Sequence, residues 1–196
     1  MNTQFLPVSK ADMRARGWED CDFLIITGDA YVDHPSFGPA IISRVLEAEG
    51  YRVAVLAQPD WKDPAAFTAL LGVMLSAGNI DSMVAHYTVA KKRRRDDAYS
   101  PGNQPGLRPD RATIVYANMV RRVFGNIPLI IGGLEASLRR FAHYDYWDDR
   151  VRPSILLDSG ADLLAFGMGE RQIEEIARRF QAGLDISACR DIPGVC

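Results

Sequence analysis

The sequence lacks a long hydrophobic run, a strong net charge and a secretory signal. No apolar stretch approaches the roughly 20 residues of a transmembrane helix, and the first residues show no basic segment followed by an apolar core. The formal net charge of −2 argues against a surface devoted to nucleic acid. We therefore predict a cytoplasmic location, no membrane partner and no extensive nucleic-acid partner.

Cysteine and histidine are also scarce. The three cysteines, Cys21, Cys189 and Cys196, are far apart and suit neither a disulfide framework nor a zinc or iron–sulfur spacing. The three histidines do not have the spacing of a zinc site. Neither Gly-x-Gly-x-x-Gly nor a P-loop lysine motif occurs, so binding of NAD or ATP has little support. Spacing alone predicts no metal site and no catalytic residue.

The composition is that of one globular α/β domain. The 196 residues are 47% hydrophobic and 24% charged, close to the averages of globular proteins. Short apolar runs predict strands at 22–27, 51–57, 71–76, 127–131 and 161–166, and helical spacing lies between them. We predict helices at 41–49, 65–70, 83–87, 111–124 and 135–141 and a last helix that ends near residue 183, an extended segment at 154–158 and a loop at 143–149.

This alternation predicts a three-layer sandwich with a five-stranded, mainly parallel sheet and the flavodoxin-like strand order 2-1-3-4-5. Residues 1–21 are expected to dock on a Rossmann-like domain at 22–185. Within it, proline, glycine and charge predict an inserted surface loop at 91–110. The basic run 91–95 is followed at once by Asp96 and Asp97, and it suits either a solvated surface or a phosphate contact.

Polar residues and glycines follow each predicted strand, and 27–38 is the most prominent such stretch. Since the carboxyl ends of parallel strands meet at one edge of a sheet, where open α/β sheets bind ligands, we predict a ligand or cofactor site there. Nearby helix amino termini favour anionic groups. The candidates are Thr27, Gly28, Asp29, Tyr31, Asp33, His34, Gln58, Asp60, Ser76, Asn79, Gly132, Gly133, Glu135, Gly167, Gly169 and Glu170.

Some of these residues have a second interpretation. His34, near Asp29 and Asp33, suits a metal ligand or a general base, but a loop histidine beside a proline also serves as a structural hydrogen-bonding group. His143 carries the same ambiguity. Glu135 and Glu170 lie in the first turns of predicted helices, where a carboxylate is favoured by the helix dipole alone.

Six segments together resemble a known family: 27–38, 57–61, 77–83, 108–113, 132–140 and 142–147. They resemble the amino-terminal domain of YgiQ-type radical SAM proteins, and more distantly the cobalamin-binding-like domains that precede radical SAM barrels. In the latter, a Gly-Gly turn and a Gly-x-Gly-Glu turn line the cofactor edge, and Gly132-Gly133 and 167–170 match them.

The resemblance implies a parent enzyme that holds a [4Fe–4S] cluster on a Cys-x-x-x-Cys-x-x-Cys loop and cleaves S-adenosylmethionine. That loop is absent from the 196 residues, so 186–196 is expected to begin a linker to a carboxyl-terminal radical SAM barrel. The lower-ligand motif of cobalamin proteins would need aspartate two residues before His34, where Val32 stands, and its glycine three residues after His34, whereas Gly38 lies four after it.

Three functional hypotheses follow. The first is an accessory domain of a radical SAM enzyme that holds a substrate or cofactor against the barrel and is not catalytic alone. The second is a cobalamin-binding module. The third is an RNA-binding adaptor that uses the basic run 91–95. A stand-alone enzyme has the weakest support, because no nucleophile and base pair up by spacing.

Overall fold

The computed structural model describes residues 5–62 and 69–196. The strands are β1 (Cys21–Thr27), β2 (Val53–Ala57), β3 (Ala69–Ser76), β4 (Leu129–Gly132), β5 (His143–Asp145), β6 (Arg150–Arg152) and β7 (Leu163–Leu164). The α-helices are α1 (Lys10–Ala15), α2 (Gly38–Ala48), α3 (Ser82–His86), α4 (Ala112–Phe124), α5 (Gly133–Leu138), α6 (Ile155–Ser159) and α7 (Glu170–Gln181). None of these helices is long and apolar enough to cross a bilayer.

Five parallel strands form the main sheet in the order β2-β1-β3-β4-β7. This is the predicted order 2-1-3-4-5, so the α/β fold class is confirmed. The central strand β1 pairs with β2 on one side and with β3 on the other. Its nearly uninterrupted apolar sequence agrees with a strand that is buried on both faces.

Alternate residues of each strand pack against opposite helical layers. Leu24 and Ile26 lie in one core cluster, which includes Tyr116 of α4 and Ile155 of α6. Their neighbours Phe23 and Ile25 lie in the other, with side chains of α2 and α7. Two apolar layers separated by one sheet give the predicted three-layer arrangement, since successive strand side chains point to opposite faces.

Several local predictions were wrong. Residues 154–158 were expected to be extended but belong to α6, where the Ser154 hydroxyl accepts a hydrogen bond from Leu156 N–H and Gly160, at φ +66°, ends the helix. Residues 143–149 were predicted as a loop but include β5, which pairs antiparallel with β6. Side-chain caps and short hairpins leave little trace in apolar periodicity.

Two further predictions concern segment boundaries. Of the helix predicted at 65–70, residues 65–68 lie outside the described residues, and Ala69 and Leu70 belong to β3. Of the strand predicted at 161–166, only Leu163 and Leu164 form β7. Residues 194–196 lie antiparallel beside it, and Leu164 and Cys196 exchange two backbone hydrogen bonds of 2.9 Å.

The terminal segments and the segment 91–110 all contact the core. In the amino-terminal segment, Leu6 and Met13 are buried, and Pro7 accepts a hydrogen bond from the backbone of Val55. In 91–110 the basic run is exposed, as a surface loop predicts, but Asp97, Ser100 and Arg108 are buried. Near the carboxyl terminus, Cys189 and Ile192 pack in the core cluster of α7.

Candidate functional site

A cavity of about 220 Å³ opens at the carboxyl edge of the parallel sheet, between α2 and α7. Its walls are apolar side chains from the strands and the two helices: Ile25, Ile41, Ile42, Met74, Ile130, Ile131, Ala165 and Ile173. An apolar cavity of ~150 Å³ suffices for benzene, whereas complete small-molecule sites begin near ~300 Å³. The cavity therefore suits one ring-sized apolar part of a ligand.

The mouth of the cavity is formed by the glycine-rich turns that follow β3, β4 and β7. Seven of the predicted site residues lie here: Ser76, Asn79, Gly132, Gly133, Gly167, Gly169 and Glu170. Gly133 has φ +79°, and a Cβ there would lie 2.5 Å from the Ser76 hydroxyl oxygen. Only glycine satisfies both conditions, so the backbone forms this side of the mouth.

Asn79 ties the loop before α2 to the mouth. Its side-chain carbonyl accepts a hydrogen bond from Gly38 N–H at 3.4 Å, and its amide donates to the carbonyl of Ser36 at 3.2 Å. Its own backbone N–H donates to Asp29 at 2.7 Å. The stretch 27–38 thus reaches the cavity itself through Gly38, which lines it.

Asp29 is held away from the cavity in a buried ion-pair cluster. Arg108 Nη1 lies 2.9 Å from Asp29 Oδ1, and its Nε lies 2.9 Å from Asp97 Oδ2. Burial raises the pKa of Asp29, against the opposing effects of Asn79 N–H and Arg108. Burial also acts to raise the pKa of Asp97, but hydrogen bonds from Arg108 and from the backbone of Tyr99 outweigh it, so that pKa is lowered. The cluster lies beside the cavity mouth and is joined to it by the hydrogen bond between Asp29 and Asn79.

Glu135 is buried where the amino termini of three helices meet. Its carboxylate accepts hydrogen bonds from the backbone and hydroxyl of Ser82, at 2.7 and 2.6 Å, and from Thr113 N–H at 3.1 Å. Ser82 begins α3, Thr113 lies in the first turn of α4, and Glu135 itself lies in the first turn of α5. This geometry agrees with the interpretation of Glu135 as a helix-dipole partner.

Tyr31, Asp33 and His34 do not line the cavity. Asp33 forms an ion pair with Arg44, and the hydrogen bond from that guanidinium lowers the pKa of the carboxyl. Burial, with the charge of Asp33 next in size, raises the pKa of Tyr31 to about 12. His34 is exposed, and its Nδ1 lies 3.1 Å from Ser36 N, from which it accepts a hydrogen bond. This contact agrees with the interpretation of His34 as a structural hydrogen-bonding group.

The remaining predicted residues have structural contacts beside the mouth. The Thr27 hydroxyl accepts the N–H of Asp29, and a Cβ on Gly28 would lie 2.1 Å from the carbonyl oxygen of Ala77. Gln58 donates to the carbonyl of Gly28 and to the Ser100 hydroxyl. Asp60 is exposed and accepts the N–H of Lys62.

The sequence prediction of the site included only polar residues and glycines that follow strands. It therefore missed the apolar walls of the cavity and Arg108. Ile42 and Ile173 lie one turn into α2 and α7, so a signal for them exists. Helical side chains tilt toward the amino terminus, and those in a first turn therefore lie over the strand edge that precedes the helix. For Arg108, a charged residue between prolines in a polar segment, the sequence offers no such signal.

The described residues contain no group of three or more histidine, cysteine or acidic side chains that could hold a metal ion. Burial raises the pKa of the Cys21 thiol to about 12, which keeps it protonated at neutral pH. Within 91–95, Lys91 lies over the ring of Tyr146 at 4.7 Å and donates to Trp147, and Arg94 donates to Val84. Lys91 and Arg94 of the basic run therefore contact other residues of this domain.

The five-stranded parallel sheet, with helices on both faces and a cavity at its carboxyl edge, defines a three-layer α/β domain. The family model described as "Radical SAM N-terminal" matches residues 5–196. The chain belongs to this family, which confirms the predicted relation to radical SAM proteins. The YgiQ-type and cobalamin-binding-like assignments stay predictions.

Similar proteins occur in bacteria and archaea. A UPF0313 protein of Clostridium perfringens is 57% identical over 98% of this chain and 30% of its own length. UPF0313 proteins of Clostridium botulinum and Methanosarcina acetivorans are 55% and 56% identical over 98% of this chain, which covers 31% and 26% of their lengths. The chain thus spans about a third or less of these relatives. No solved structure gives a significant match.

Proposed function

We propose that this domain holds a substrate or cofactor for a radical SAM reaction that the remaining part of a longer protein carries out. The observation that supports it is the apolar cavity at the carboxyl edge of the sheet. Such a cavity favours an apolar group by removing it from water. The polar groups at its mouth, Ser76, Asn79 and the first turn of α7, are suited to orient the rest of the ligand.

The family implies a [4Fe–4S] cluster and S-adenosylmethionine for the parent protein. A cluster of this kind is held by cysteine thiolates, and the described residues do not fit it, because Cys21 and Cys189 are buried on separate elements. The cluster and the cleavage of S-adenosylmethionine are therefore assigned to the part of the protein outside this chain. Here the domain contributes binding and orientation, not catalysis.

Cobalamin is the first cofactor to test. The apolar cavity and its glycine mouth fit one ring-sized end of such a molecule. His34 is unsuited as the cobalt ligand, because it does not line the cavity and its Nδ1 already accepts a hydrogen bond from Ser36. Binding without a histidine ligand is thus the form of the hypothesis that the geometry supports.

The test uses the full-length protein, purified anaerobically with its cluster. Ile42→Trp fills the cavity from α2, and Leu157→Trp adds the same side chain at an exposed position on α6, 73% exposed, as a control. Molecules released by acid are compared by mass spectrometry. We expect a compound that is present in the wild type and the control and absent from Ile42→Trp; identical profiles from all three proteins would contradict the proposal.

Adding hydroxocobalamin to the full-length protein tests whether cobalamin is the ligand. If cobalamin is the ligand, its chromophore co-elutes with the full-length protein on gel filtration, and Ile42→Trp weakens its binding by at least about tenfold, or ~1.4 kcal/mol. Clean separation of the chromophore from the wild-type protein excludes cobalamin and leaves the substrate as the ligand to identify.

A further inference from the structure

An exposed apolar surface lies beside the cavity mouth. It consists of Leu134, Leu138, Phe141 and Met168, which are 46%, 65%, 68% and 79% exposed. We name these four residues the apolar rim. Leu134 and Leu138 are one turn apart on α5 and therefore share a face of that helix.

The members of the apolar rim are neighbours in space. Leu134 and Met168 both line the cavity mouth. Gly167 N–H donates to the Ser137 hydroxyl at 3.4 Å, which joins the loop before α7 to α5. The guanidinium of Arg140 lies 4.8 Å from the ring centroid of Phe141 and 5.0 Å from that of Phe166. Phe141 is thus linked to the same loop.

Contiguous exposed apolar surface marks a site of interaction. The partner must be apolar too, since the four rim side chains carry no charge. The relatives are about three times as long as this chain, so most of the polypeptide lies outside it. That part is joined to this domain covalently, and its high effective concentration favours a contact with it over a contact with a second molecule.

We propose that the remaining part of the same polypeptide covers the apolar rim and closes the cavity mouth. The closure of the mouth rests on the proposed function, because only a ligand bound in the cavity would need to be shielded from water. The covering of the rim is independent of the proposed function, because it is argued from the exposure and contiguity of the rim and from the length of the relatives. A ligand in the cavity would then contact both parts of the protein.

Methionine oxidation in the ligand-free, full-length protein tests the covering. Met168 is exposed in this domain, whereas Met13, Met74, Met83 and Met119 are buried and report whether the domain stays folded. With dilute hydrogen peroxide, we expect Met168 to oxidise far more slowly than a free methionine. Leu138→Glu, which places a charge in the rim, should raise the rate of Met168 oxidation several-fold while the buried methionines stay protected.

Leu157→Glu on α6 is the matched control and should leave the rate at Met168 unchanged. If Leu138→Glu also exposes the buried methionines, Phe141→Glu replaces it as the test variant. Oxidation of Met168 in the wild type at the rate of free methionine would overturn the proposal, and so would protection that disappears when the protein is diluted to a monomer, which identifies a second copy as the partner. The proposed function is tested by ligand retention in Ile42→Trp and the covering by Met168 oxidation in ligand-free protein, so the failure of one is distinguishable from the failure of the other.

Discussion

Arg108 Nη1 lies 2.9 Å from Asp29 Oδ1, and both side chains are almost fully buried. The same guanidinium also contacts Asp97 and the carbonyl of Ala77. It therefore joins the segment 91–110 to the loops that follow β1 and β3. Arg108 is thereby linked to the cavity mouth, since Asp29 in turn accepts the N–H of Asn79.

Replacing Arg108 with methionine should destabilise the domain strongly. The variant leaves Asp29 and Asp97 buried without their cation, a loss that costs about 3–5 kcal/mol. Urea unfolding followed by circular dichroism measures the change. Arg178→Met removes an exposed ion pair with Glu175, 67% exposed on the arginine side, and should cost about 1 kcal/mol or less. Equal losses in the two variants would contradict the structural role of Arg108.

Gly28 and Gly38 provide a matched pair within the stretch 27–38. A Cβ on Gly28 would meet the Ala77 carbonyl carbon at 2.8 Å and its oxygen at 2.1 Å, whereas a Cβ on Gly38 meets nothing within 4 Å. Gly28→Ala should therefore lower the free energy of unfolding by about 1–3 kcal/mol through overpacking. Gly38→Ala should leave it unchanged or raise it slightly, because alanine favours the first turn of α2. A comparable loss in both variants would contradict this difference.

Runs of apolar residues predict the strands of the sheet, because a strand that is buried on both faces needs apolar side chains at successive positions. β1 follows from that signal, whereas the order of the five parallel strands follows from their alternation with helices and the flavodoxin-like topology. Seven of the predicted site residues line the cavity at the carboxyl edge, but periodicity cannot tell which polar residues contact one another. Asp29 and Glu135 look like ligand groups in the sequence, and in the structure they are buried with Arg108 and Ser82. Partners more than 50 residues apart in the sequence, such as Ser82 and Glu135, become visible only in the folded chain.

Glu135→Gln tests the convergence of three helix amino termini. A glutamine keeps one acceptor but points an amide N–H toward Ser82 or Thr113, which are themselves donors to this side chain. We expect a loss of about 1–3 kcal/mol, the cost of buried polar groups left without partners. Glu170→Gln is the control, because this partly exposed residue of the first turn of α7 should contribute at most about 1 kcal/mol through the helix dipole. Urea unfolding of both variants measures the two losses of unfolding free energy. Equal losses would mean that Glu135 stabilises the domain through the helix dipole alone.

Asp145 in the β5–β6 hairpin should make the free energy of unfolding of the domain depend on pH in the acidic range. Its carboxylate accepts hydrogen bonds from Arg111 at 2.8 Å and from Arg152 at 2.7 Å. Burial acts to raise the pKa of Asp145, but the hydrogen bonds from Arg111 and from backbone N–H groups outweigh it and hold that pKa well below its usual range. A carboxyl with a lowered pKa in the folded state stabilises that state above its unfolded pKa of about 3.9 and loses this effect as the pH falls toward the folded value.

Asp145→Asn should therefore lower the free energy of unfolding by a constant amount between pH 7 and pH 5.5. Below about pH 4 the difference from the wild type should shrink, because the unfolded chain then binds a proton at Asp145 that the folded state, with its lowered pKa, does not bind. Urea unfolding at pH 7, 5.5, 4 and 3 measures the two curves. Asp60→Asn makes the same substitution at an exposed carboxylate outside the hairpin and serves as the control. A difference for Asp145→Asn that stays constant down to pH 3 would mean that Arg111 and Arg152 stabilise the hairpin without using the charge of Asp145.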